Sequence, residues 1–171
     1  LFAEHHRGHD EFLWEIQEFA RDYFREDEDR YRRPIVERRY SKPIEIFDRH
    51  LYEKGALVLH MLRHELGDDL FWRALRHYVR KHQFQNVESA DFKIAIEEAT
   101  GRHLDGFFDQ WVYGAGFPEI EASWSWDEPT SSVRLRLRQT QERDAGRPPF
   151  TFPLDIELGA HGPQAVLTDA G

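Results

Sequence analysis

Cysteine is absent from the 171 residues. Disulfides, thiolate nucleophiles and cysteine-ligated zinc or iron–sulfur centres are therefore excluded. No run approaches the roughly 18 to 20 apolar residues that a membrane span needs, and no signal-peptide pattern opens the sequence. Basic residues are in deficit, with 23 Lys and Arg against 32 Asp and Glu and a formal net charge of −9. Phosphate neutralisation needs clustered cations, so no nucleic-acid partner is expected. A phosphate loop, a Gly-x-Ser-x-Gly elbow and a dinucleotide fingerprint are missing as well. What remains is 40% hydrophobic and 14% aromatic, enough for a packed core.

The chain opens at Leu1 in an apolar, helix-like stretch without an initiator Met, and closes in the strand-like run Ala165-Val166-Leu167. Natural termini are usually polar and loose, so a fragment of a longer protein is expected. Absence of Cys and of a leader fits the cytoplasm, although a leader would lie in any missing N-terminal part.

The apolar period changes once, near Pro118. Before it, spacing is helical. A helix tail over Leu1 to His6 stops at Gly8. A second helix, with Asp10 as a cap, buries Phe12, Leu13, Ile16, Phe19, Ala20 and Tyr23, and the polar run Arg25 to Arg33 ends it. A stiff loop between Pro34 and Pro43 should pack through Ile35, Val36, Ile44, Ile46 and Phe47. A third helix begins near Leu51 and stops at Gly67, and a fourth is capped by Asp68. A fifth is capped by Ser89, and a short sixth over Leu104 to Val112 is ended by Gly114 and Gly116. After Pro118 apolar and polar residues alternate over Ile120–Trp126, Val133–Arg138 and Phe150–Leu158, with a fourth strand starting at Val166, the mark of half-buried strands. The fold class is α+β by segments: an all-α helical layer, then an incomplete antiparallel β-sandwich. The boundaries are 1–118 and 119–171.

His60 and His64 stand four apart on the third helix, a spacing that can serve one metal. A metalloprotease helix, however, has Glu directly after its first His, and Met61 is there instead. No metal ligands are assigned in this chain. The pairs Asp68-Asp69 and Glu97-Glu98 fit helix-dipole and solubility roles. Tyr52, in Leu51-Tyr52-Glu53-Lys54-Gly55, stands at the entry of the third helix. By position alone it fits a packed or surface ring with an exposed tip, and a phenol projecting into a cleft is the alternative.

Tyr52-Glu53-Lys54-Gly55-Ala56, followed by Leu59, Met61 and Leu62, resembles the tyrosine segment of the aminopeptidase N family of zinc metallopeptidases (family M1). The order downstream is similar too: Gly67-Asp68-Asp69-Leu70-Phe71-Trp72, Tyr78, Ser89-Ala90-Asp91-Phe92, Glu98-Ala99-Thr100-Gly101, Phe108-Asp109-Gln110-Trp111 and Gly116-Phe117-Pro118. The resemblance covers Leu1 to Trp126. It implies that residues 1–118 are the helical, C-terminal half of a thermolysin-like catalytic domain. The parent enzyme would remove N-terminal residues from peptide substrates with a zinc ion. The HExxH helix and the following Glu helix that hold this zinc would lie upstream, in the missing N-terminal part of the same domain. No zinc is expected on this fragment, which alone would be inactive. Tyr52 matches the tyrosine whose hydroxyl donates to the oxyanion, and Phe47 stands where some members carry a second tyrosine. The competing expectation is a non-catalytic helical and β-sandwich scaffold for protein–protein contact, and the upstream sequence discriminates the two.

Overall fold

The computed structural model describes residues 2–141 and 148–156. The chain divides into two compact units, Leu1–Gly116 and Phe117–Gly171.

Six helices build the first unit: α1 (Phe2–Arg7), α2 (His9–Asp29), α3 (Glu53–Leu66), α4 (Asp68–His82), α5 (Ser89–Thr100) and α6 (Asp105–Trp111). A short 3₁₀ turn, Pro43–Ile46, interrupts the long connection between α2 and α3. Glycine sets the main boundaries. Gly67 has φ 74°, which L side chains rarely adopt, and its N–H closes α3 onto the Arg63 carbonyl at 2.8 Å. Three expected caps differ by one or two residues. Gly8, not Asp10, is the residue before α2, and Asp68 follows Gly67 inside the first turn of α4. At α5 the cap is Glu88 instead of Ser89. Its carboxylate accepts from the backbone of Asp91, while Asp91 accepts the Glu88 N–H at 2.8 Å. That reciprocal pair satisfies two N–H groups that a helix start leaves over.

The core lies where α2, α3, α4 and α5 meet, and α6 closes it. Phe12, Val58, Leu62, Leu66, Phe71, Ala74, Ile96, Leu104, Phe108 and Trp111 are buried. Aromatic edges organise one side: Tyr78 meets Phe92 at 5.0 Å in a T-shape. Arg63 ties three helices, donating to Glu4 Oε2 at 2.6 Å and through two nitrogens to the Asp68 carboxylate. Leu13, expected inside, is outside, as are Val79 and Ile94. Each flanks the buried stripe, and on a helix only about 100° of arc faces the core.

In the second unit β1 (Ile120–Asp127) pairs antiparallel with β2 (Ser132–Gln139). The register sets Trp124 opposite Leu135 and Trp126 opposite Val133, and on the other face Ser123 opposite Arg136 and Glu121 opposite Arg138. The alternation therefore sorts one apolar from one polar face, as read from the sequence. The apolar face is more open than the expected half-burial, since Trp124 is 73% exposed. The expected third strand does not form over residues 148–156, which carry no regular secondary structure. The side-chain amide of Gln139 takes the ladder's place, donating to the Phe150 carbonyl at 2.6 Å and accepting its N–H at 3.0 Å. The fourth strand expected at Val166 lies outside the described residues.

Leu62→Ala, at a position 1% exposed, is expected to lower the unfolding free energy by about 2–5 kcal/mol. Leu59→Ala, on the open side of the same helix, should cost well under about 1 kcal/mol. Urea unfolding followed by helical circular dichroism checks both.

Candidate functional site: the turn that carries Tyr52

The connection between α2 and α3 was expected to pack through apolar side chains, but Ile44 and Phe47 are exposed. A buried guanidinium organises it instead. Arg33 directs Nε to Asp48 Oδ2 at 2.8 Å, and Nη1 to the carbonyls of Pro34 at 2.7 Å and Ile35 at 3.1 Å. Its Nη2 donates to the Ile46 carbonyl at 2.9 Å and to Asp48 Oδ1. All five N–H donors of an arginine are thereby used. Two of them form the parallel fork onto a carboxylate that makes such pairs strong.

Asp48 passes this restraint into the turn. Its Oδ1 accepts the Leu51 N–H at 3.1 Å, and its carbonyl accepts the Leu51 and Tyr52 N–H groups, both at 3.2 Å. A carboxylate taking the N–H three residues on is the geometry of a helix N-cap. The Tyr31 hydroxyl donates to Asp48 Oδ2 at 2.8 Å. His50 sits below, 0% exposed, with Nε2 3.1 Å from Asp27 Oδ1 and Nδ1 3.6 Å from Asp48 Oδ2. An ionised carboxylate has no proton to give, so Nε2–H is the donor to Asp27. The imidazole is stacked on Tyr31 at 5.3 Å and meets the edge of Tyr23 at 5.4 Å. Arg32 Nε completes the Asp27 shell at 2.5 Å.

Electrostatics follow from these partners. Burial by itself would raise the Asp48 carboxyl, but hydrogen bonds from Arg33, Tyr31 and the Leu51 N–H outweigh it and hold the group below the ordinary aspartate range. Asp27 behaves alike, burial opposing and His50 and Arg32 prevailing. Burial and then the bond to Asp48 push the Tyr31 phenol up to about 12. Tyr23 is pushed up further, by burial first and the Asp27 charge second.

The turn delivers Tyr52 at the head of α3. Its neighbours face inward: Glu53 accepts from Arg49, and Lys54, 2% exposed, donates to the Gly114 carbonyl at 2.9 Å over the face of Tyr23. Gly114 can be nothing larger, because a Cβ there would collide with the Gln110 carbonyl oxygen. Tyr52 itself is 57% exposed, and nothing among the described residues hydrogen-bonds its hydroxyl. It lies on the wall of a cleft of about 590 Å³, lined also by Gly55, Leu59, Val87, Phe92 and Phe107. A Cβ at Gly55 would meet open space there. Gly55 stands in the first turn of α3, and no packing within this unit requires a glycine there. Phe47 stands 6.1 Å from the Tyr52 ring and offers no hydroxyl.

His60 and His64 do not make a metal centre with any third residue. Among the described residues, no group of three or more His, Cys, Asp or Glu could hold an ion. The His60 ring stands edge-on to Phe12 at 5.2 Å, and its Nδ1 is buried without a hydrogen-bond partner. Burial, with the charges of Arg63 and His64, pushes its pKa down. The described residues therefore do not fit a catalytic zinc, and no chemistry assigned to this chain runs through one.

Comparison with known proteins bears on what such a turn is for. The sequence profile of the Peptidase family M1 domain matches residues 3–111, more than half of the chain. The chain belongs to peptidase family M1. Similar proteins include aminopeptidase N of Lactococcus lactis subsp. lactis, 39% identical over 72 residues, 42% of this chain and 8% of the relative. Aminopeptidase M1 of Arabidopsis thaliana is 30% identical over 104 residues, 61% of this chain and 11% of the relative. In fold the chain is similar to Legionella pneumophila aminopeptidase A, crystallised with aspartic acid. The TM-score is 0.56 at 21% identity, over 63% of this chain and 13% of that one. The chain thus spans about a tenth of the length of these relatives. That order of helices followed by an antiparallel sheet agrees with the fold class read from the sequence.

The family resemblance points to Tyr52, whereas no sequence motif singles out Arg33, Asp48, His50 or Asp27. One signal was available. The stripe Phe12, Ile16, Phe19 and Tyr23 continues at helical spacing onto Glu26 and Asp27, both buried.

Because the Asp27 and Asp48 carboxyls titrate below their unfolded values, their stabilisation is complete above about pH 4 and is lost as pH falls through the folded values. Asp48→Asn is expected to cost about 3–5 kcal/mol at pH 7, as for breaking a buried pair. It should also flatten the loss of stability as pH falls below about pH 4. Urea midpoints across that range check this, and an acid limb identical to that of the parent chain would contradict it.

Proposed function

We propose that the complete protein is a zinc-dependent aminopeptidase that hydrolyses the N-terminal peptide bond of peptide substrates, and that Tyr52 is the catalytic group supplied by this chain. One observation carries the reading. Tyr52 lines a cleft and its hydroxyl has no hydrogen-bond partner among the described residues, while the residues on either side of it are held by hydrogen bonds, an ion pair and burial. Attack on a peptide carbonyl turns its oxygen into an oxyanion. A hydroxyl fixed beside that oxygen donates a hydrogen bond that strengthens as the charge grows, and so lowers the barrier more than it tightens substrate binding. With Phe47 next to it, Tyr52 carries that role alone.

In this reading residues 1–118 are the helical half of a thermolysin-like catalytic domain and residues 119–171 begin a β-sandwich. The zinc ion would be held by residues outside the 171, in the other half of the same domain, where it supplies Lewis-acid and water-activating chemistry. A protein-interaction scaffold has no use for a phenol left free at this position, and the aminopeptidases among the relatives favour the enzyme.

Tyr52→Phe in the complete protein is expected to lower kcat about 100- to 1,000-fold and to change KM little. The 171-residue chain alone should take up no stoichiometric zinc and cleave no peptide. Turnover unchanged by Tyr52→Phe would remove the phenol from the mechanism.

A further inference from the structure

We propose that Asp48 is a positioning residue for the Tyr52 hydroxyl, holding the turn that presents it against the framework fixed by Arg33. The inference rests on the reading of Tyr52 given above and adds the residue on which its precision depends. Among the described residues Tyr52 has no side-chain hydrogen bond, and the ring paired with it, Phe47, stands at 6.1 Å and is exposed. Its placement is therefore inherited from the backbone. That backbone hangs on Asp48, whose carboxylate and carbonyl together take the N–H groups of Leu51 and Tyr52.

Asp48 is in turn immobilised from outside the turn. Arg33 grips both carboxylate oxygens, Tyr31 donates to one of them, and the buried His50 ring fills the space below. Arg33 cannot swing away without releasing three carbonyls as well. The chain of restraint thus runs from the α2–α3 connection through a carboxylate into the first backbone amides of the helix. A donor serving an oxyanion must be held to about 0.5 Å, and a displacement of about 1 Å costs on the order of a hundredfold.

A double-mutant cycle in the complete protein tests this. Asp48→Asn is expected to lower kcat about 10- to 100-fold with KM little changed. In a Tyr52→Phe background the same substitution should alter kcat by less than about twofold, because the group it positions is gone. An equal loss in both backgrounds, or a change in KM alone, would mean that Asp48 serves the fold and not the phenol, and would overturn the proposal. Wild-type turnover for Tyr52→Phe alone would overturn the reading of Tyr52, and the positioning role with it. If Asp48→Asn does not fold, as judged by its melting temperature, Tyr31→Phe decides. It removes one hydrogen bond to Asp48 from a ring that is itself exposed. A loss of about 3- to 10-fold in kcat that vanishes in the Tyr52→Phe background supports the proposal, and a loss that persists there overturns it.

Discussion

The Arg33–Asp48 pair is the constraint on which the rest of the helical unit's candidate site depends. The stretch from Pro34 to Leu51 contains no α-helix and exposes much of its apolar surface, so hydrophobic burial does not fix it. A guanidinium with every donor engaged does. It joins the carbonyls of Pro34, Ile35 and Ile46 to one carboxylate. Both members of the pair are almost completely shielded, with side-chain exposures of 8% and 7%. Taking two charges out of water is expensive and is offset only when the remaining donors and acceptors are also satisfied. Here they are, which makes the arrangement specific: a lysine at position 33 would keep the charge and lose the fork.

The elements themselves were legible. Gly8, Gly67 and Gly101 mark helix ends by a backbone conformation that side chains resist, and the alternation over Ile120–Trp126 and Val133–Arg138 marked both strands. What resisted reading has a common cause. Glu26, Asp27, Arg33, His50 and Lys54 are buried, whereas polar residues are mostly outside. Their burial depends on partners up to 60 positions away, a relation that local periodicity does not carry. The same holds for Phe150, where Gln139 substitutes a side-chain amide for strand pairing. Tyr52 could be found because its motif resembles that of a known family, but the reason its neighbours are Glu53 and Lys54 became visible only when their partners, Arg49 and Gly114, were in place.

Family membership and site geometry answer different questions. Membership of peptidase family M1 rests on a match across residues 3–111, while the chain corresponds to only 8% and 11% of two of its relatives. In the proposed enzyme the zinc chemistry belongs to residues beyond these 171. The contribution proposed for this part is narrow, a hydroxyl and the ionic framework that aims it. Core changes at Leu62 act on stability alone, whereas changes at Asp48 act on stability and, as proposed, on the presentation of Tyr52.

The most direct test is a crystal structure of the complete protein bound to a peptide analogue whose scissile carbonyl is replaced by a tetrahedral phosphinate. The account predicts the Tyr52 hydroxyl about 2.7–3.1 Å from the phosphinate oxygen that stands for the oxyanion, with the Arg33–Asp48 fork and the Leu51 bond intact. A phenol out of hydrogen-bonding reach of that oxygen, with the turn unchanged, would contradict it.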